Sequence, residues 1–181
     1  QVPGMDLGAV RKSARTSFSS ACQSEKTFFC ATGTMKSIGC VYFWKYKTDG
    51  WLGNEWHCTA DSYGCDYLLE VLTRITCSDV PMKVEIVLTP VNQSVLDIPE
   101  YNSPFENMQV LRFLYSPAAS SFYEWSIAEN GSTAEITLGK AMLNEWQRAV
   151  DDVKNGQSGY SIGLHEDYTV SFWTFEKSNQ V

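Results

Sequence analysis

Thiols are the most concentrated reactive groups in this chain. Cys22, Cys30, Cys40, Cys58, Cys65 and Cys77 share its N-terminal part, and no cysteine follows Cys77. Two chemistries use cysteines at such density, zinc ligation and disulfide bonding. Structural zinc sites take their ligands in close pairs, typically two to four residues apart. The closest pair here, Cys58 and Cys65, is already wider than that range, and only His57 and His165 offer imidazole. An even number of cysteines without metal spacing reads as a disulfide framework formed in an oxidising compartment, with 15 possible connectivities for six. The expectation is a secreted, extracellular protein with all six cysteines paired and no metal site.

Acid–base chemistry has few candidates. No G-x-S-x-G occurs. A two-histidine site, as in small secreted ribonucleases, requires His57 and His165 to converge; the plainer alternative is a packed strand histidine and an exposed turn histidine. Glu124 and Glu135 are candidates for a diagonal pair on one hairpin, about 7–8 Å apart, a spacing that overlaps that of glycosidase carboxylates. Solvent-facing glutamates are the commoner reason for such a pair. No calcium loop or phosphate-cradling glycine run is present, so no cofactor is expected and no residue is assigned as catalytic.

Recognition chemistry is better represented. Tyr42, Phe43, Trp44, Tyr46, Trp51 and Trp56 crowd into one short segment, more aromatic surface than one face of a hairpin readily buries. Tyr42, Trp44, Tyr46 and Trp51 are therefore binding candidates, since surface aromatics are common anchors of protein contacts; the alternative is that a second layer or the tail covers them. Asn92-Gln93-Ser94 and Asn130-Gly131-Ser132 are sequons in expected exposed turns, which makes Asn92 and Asn130 glycosylation candidates.

Charge narrows the partners. The net charge is −7; Arg11, Lys12 and Arg15 against Asp6 make residues 1–21 +2, which leaves −9 on the rest. An acidic body without a basic patch disfavours nucleic acid and anionic membrane surfaces. No apolar run approaches the roughly 20 residues that a membrane-spanning helix needs, so membrane insertion is not expected. Residues 1–21 hold few large apolar groups and read as a mobile tail, in the manner of a pro-segment remnant with a processing site at Arg11-Lys12. Gln1 is compatible with a mature end after removal of a leader.

The elements that must position these residues are mostly strands. Residues 39–47 alternate, and Asp49-Gly50 predicts a tight turn into 51–58, with Phe43 opposite Trp56 and Trp44 opposite Glu55. Strands are expected at 82–90, 109–115, 159–164 and 168–175, with a long connection over 90–107. Asn130-Gly131 predicts a hairpin over 121–138 in which Ile127 opposes Ala134 and Trp125 opposes Ile136. Residues 140–155 change to a helical period that ends at Asn155-Gly156, and 66–76 suit a helix slightly better than a strand.

These signals predict a mainly β (α+β) domain over residues 22–181, an antiparallel β-sandwich or distorted barrel, disulfide-reinforced, with one amphipathic helix near the C-terminus. The leading functional expectation is a secreted, monomeric, non-enzymatic protein, of effector, toxin or receptor-ligand type, that binds an extracellular or host protein. The alternatives are a β-barrel for a small apolar ligand and a small hydrolase or ribonuclease using His57 and His165.

Overall fold

The computed structural model describes residues 34–35, 39–47, 55–99, 103–119, 121, 124–164 and 168–175. The expectations for residues 1–21, for Cys22, Cys30, Trp51 and His165, and for the Asp49-Gly50 turn lie outside the described residues.

Among the described residues, two five-stranded sheets and two long helices build the fold. The strands are β1 (Thr34–Met35), β2 (Val41–Tyr46), β3 (Glu55–Ala60), β4 (Met82–Val87), β5 (Phe105–Asn107), β6 (Val110–Tyr115), β7 (Ser126–Asn130), β8 (Thr133–Leu138), β9 (Tyr160–Leu164) and β10 (Tyr168–Phe172). The helices are α1 (Ser62–Thr76), the single-turn α2 (Gln93–Leu96) and α3 (Lys140–Lys154). One sheet runs β1-β4-β6-β8-β7 and the other β5-β2-β3-β10-β9. The mainly β expectation therefore holds, in two sheets, and no barrel closes among the described residues. The sheets are mixed rather than antiparallel, because β1–β4, β6–β8 and β3–β10 pair in parallel.

Alternation and helical period explain the shared core. Val41, Phe43, Trp56, Cys58, Val170 and Phe172 line the inner face of one sheet, and Ile86, Leu111, Phe113, Ala134, Ile136 and Leu138 line that of the other. The apolar stripes of α1 and α3 join the same core. Trp146 on α3 touches both sheets: its ring meets Phe113 and Phe172 edge-on, with centroids 5.3 and 5.1 Å apart, and lies 6.3 Å from Phe43. Caps set the helix ends. Asp61 accepts from Gly64 N at 2.7 Å to start α1, while Gly156, at φ 80°, supplies the left-handed residue that follows α3.

Both hairpin registers differ from expectation by two residues. Phe43 pairs with Cys58 and Trp44 with His57, where a two-residue turn at Asp49-Gly50 would have paired Phe43 with Trp56 and Trp44 with Glu55. In the other hairpin Ile127 pairs with Ile136 and Asn130 with Thr133, which places Gly131 and Ser132 in the loop. Gly131 takes φ 61°. A shift of two preserves which face each side chain occupies, since side chains alternate with a period of two. It does separate Glu124 from Glu135: Ala128 opposes Glu135, and Glu135 instead binds Arg112, which also holds Glu85. The expected carboxylate pair does not form.

The thiol expectation changes as well. Cys40, Cys58 and Cys65 are free, so not all six cysteines are paired, and no two described cysteines are bridged to each other. Cys58 of β3 and Cys65 of α1 both belong to the main core. Burial raises both thiol pKa values, that of Cys65 to about 12, and leaves these thiols inert near neutral pH.

Candidate functional site

The outer face of the β5-β2-β3-β10-β9 sheet gathers most of the residues that chemistry could use. Side-chain alternation puts Tyr42, Trp44 and Tyr46 of β2 beside Glu55, His57 and Thr59 of β3, then Ser171 of β10 and Ser161 of β9. A second layer covers the aromatic half of this face. Val95 of α2, Val91, Phe105, Trp173 and Phe175 pack on Tyr42, Trp44 and Tyr46, which are 5%, 0% and 1% exposed. These three binding candidates are core residues of a small second cluster. Of the two alternatives for the crowded hairpin, the second layer is the one realised.

His57 lies at the centre of this layer and is fully buried. Its ring stacks on Trp44, with centroids 5.3 Å apart, and meets Tyr46 edge-on at 4.9 Å. Trp173 Nε1 donates to His57 Nδ1 at 3.0 Å. Desolvation lowers the His57 pKa to about 3, because burial penalises the charged imidazolium. The imidazole is thus neutral at physiological pH and acts as an acceptor that orients Trp173. This is unlike the acid–base partner that a ribonuclease-type site requires.

Glu55 is the buried carboxylate of the same face, 8% exposed. Its Oε1 accepts from Ser171 Oγ at 2.5 Å, and Ser171 Oγ lies 2.9 Å from Ser161 Oγ. Since a carboxylate only accepts, Ser171 donates to Glu55 and receives the hydroxyl proton of Ser161. This directed chain ties β3, β10 and β9 together.

Where the second layer ends, the chain leaves a recess of about 480 Å³. Ser94 and Asp97 border it from α2 and its C-cap, Ser158 from the connection after α3, and Trp173, Thr174 and Phe175 from the segment after β10. Its aromatic walls are held from behind. Trp173 is fixed by His57, and Phe175 stacks on Tyr42 with centroids 6.0 Å apart. Thr59 Oγ1 donates to the carbonyl of Trp173 at 2.7 Å, and the Trp173 N–H donates to Cys58 O at 3.0 Å. The polar groups differ in commitment. Gln93 Nε2 holds Asp97 Oδ1 at 2.7 Å, whereas the Thr174 hydroxyl oxygen is buried without a hydrogen-bond partner. Among the described lining residues there is no lysine, arginine or histidine.

Asn92 borders this region as the N-cap of α2, accepting from Val95 N through Oδ1. It is exposed, as is Asn130 at the end of β7. The recess residues were not singled out from the sequence. One signal was available: Trp173 and Phe175 follow Thr169 and Ser171 on the same alternation, so aromatics occupy a strand face that begins polar. Comparison with known proteins adds no analogy to this geometry, since no family model matches the chain, and neither a curated protein nor a solved structure matches it.

Proposed function

We propose that this chain is a non-enzymatic binding protein that holds a small molecule in the recess between α2 and the 173–175 segment. The observation that carries the proposal is the recess itself: about 480 Å³ bordered by two braced aromatic rings and by the polar groups of Ser94, Asp97, Ser158 and Thr174. That size falls within the range of small-molecule sites, which combine apolar walls with a few placed polar groups. The reading replaces hairpin-mediated protein binding, whose anchors Tyr42, Trp44 and Tyr46 are buried.

The test is a fragment screen by protein-observed NMR. Binders are expected to shift the Trp173 indole signal and residues 94–97 together. Ser158→Trp, at an exposed lining position, should fill the recess and remove those shifts while the melting temperature holds. Binders that shift other surfaces only, or that ignore Ser158→Trp, would refute the assignment.

A further inference from the structure

Resting on the recess reading, the chemistry of its walls points to one ligand class: we propose that the recess selects a small organic cation, an ammonium or quaternary amine with an apolar body. Four observations converge. The charged group among the described lining residues is the Asp97 carboxylate, and no cationic side chain among them lines the recess to compete for it. Gln93 fixes this carboxylate through Oδ1 alone, so Oδ2 can face a positive charge. Trp173 and Phe175 supply aromatic faces, the surfaces over which ammonium groups are attracted by the ring quadrupole. Both rings are braced from behind, by His57 and Tyr42 respectively, so little ordering entropy is lost on binding.

The electrostatics of the whole chain act in the same direction, since a net charge of −7 raises the local concentration of cations and repels phosphates and carboxylates. The brace also withstands acid. His57 becomes charged only near pH 3, so Nδ1 continues to accept from Trp173 throughout the mildly acidic range. Titratable groups from each element around His57 are few: Tyr42 and Tyr46 on β2 and Glu55 on β3 share its sheet face, while Asp97 lies at the C-cap of α2.

The experiment uses the full chain and two probes of nearly equal shape, choline and its neutral isostere 3,3-dimethyl-1-butanol, titrated by calorimetry at low ionic strength. Choline is expected to bind at least tenfold more tightly, and Asp97→Asn should remove about tenfold of its affinity with little change for the alcohol. Trp173→Phe, which keeps a ring but loses the tether to His57, should also weaken choline. Equal affinity for the two probes, or an unchanged choline affinity in Asp97→Asn, overturns the cation assignment. No binding of choline up to about 10 mM, on the order of the weakest affinity that cation–π and ion-pair contacts would give, overturns it as well. The recess reading fails separately, when the fragment screen finds no binder that Ser158→Trp displaces.

Discussion

Acid should destabilise this protein through one side chain, at a pH where most carboxylates are still ionised. His57 is fully buried among Trp44, Tyr46 and Trp173, and its pKa is lowered from 6.5 to about 3 by desolvation. In the unfolded chain the imidazole binds its proton near pH 6.5, whereas the folded chain refuses it until about pH 3. Between those values the unfolded state holds the extra proton, so stability falls as pH falls. Each pH unit well inside the window is worth about 1.4 kcal/mol. From pH 7 to pH 5, where the unfolded histidine goes from mostly neutral to mostly charged, the loss integrates to about 2 kcal/mol. For a chain of this size that is roughly 4–8 °C in melting temperature. Glu85 and Glu106, whose pKa values are lowered chiefly by hydrogen bonds to Lys83 and Lys47 respectively, add their own losses at lower pH as they protonate. The assay is calorimetric or fluorescence melting of wild type and His57→Gln in matched buffers at pH 7, 6 and 5. His57→Gln is expected to be less stable at pH 7 but to lose most of the pH 7-to-5 slope. A variant that keeps the full slope would refute the reasoning, as would a His57 NMR resonance, assigned by comparison with His165→Gln, that titrates near pH 6.5.

Other expectations are simpler to state. Trp146→Ala should cost about 3–5 kcal/mol by urea denaturation, because the indole fills the space between both sheets and its loss leaves a cavity that neither can close. Gly64→Ala should destabilise by about 1–3 kcal/mol or more, since its Cβ would come within 2.2 Å of the Cys40 carbonyl, a backbone atom that cannot swing aside; equal melting temperatures would contradict that packing. Cys58 and Cys65 should resist alkylation by iodoacetamide at pH 8 in the native protein and react together with Cys40 after denaturation without reductant. Finding these three protected in the denatured chain would restore the full disulfide framework.

Local signals in the sequence settled the longer elements, while α2 and β5 lie in the segment 90–107 that was expected to be a connection. The helical period of residues 140–155 and the Asn155-Gly156 stop gave α3 as Lys140–Lys154, and the strand signals of 82–90 and 109–115 gave β4 and β6. These are properties of i to i+2 or i+4 neighbours, and a single segment carries them. Tertiary structure decided what lies across from each element. Gly131 marked where the second hairpin turns, yet the register differs by two from expectation in both hairpins, because cross-strand packing chose the partner. Parallel pairing of β3 with β10 joins segments from opposite ends of the described chain, which no local pattern encodes. The candidate site was the least legible part for the same reason. Ser94, Asp97 and Trp173 are ordinary residues in their own segments, and they become a recess only where α2 and the chain after β10 close over an aromatic face that would otherwise have met water.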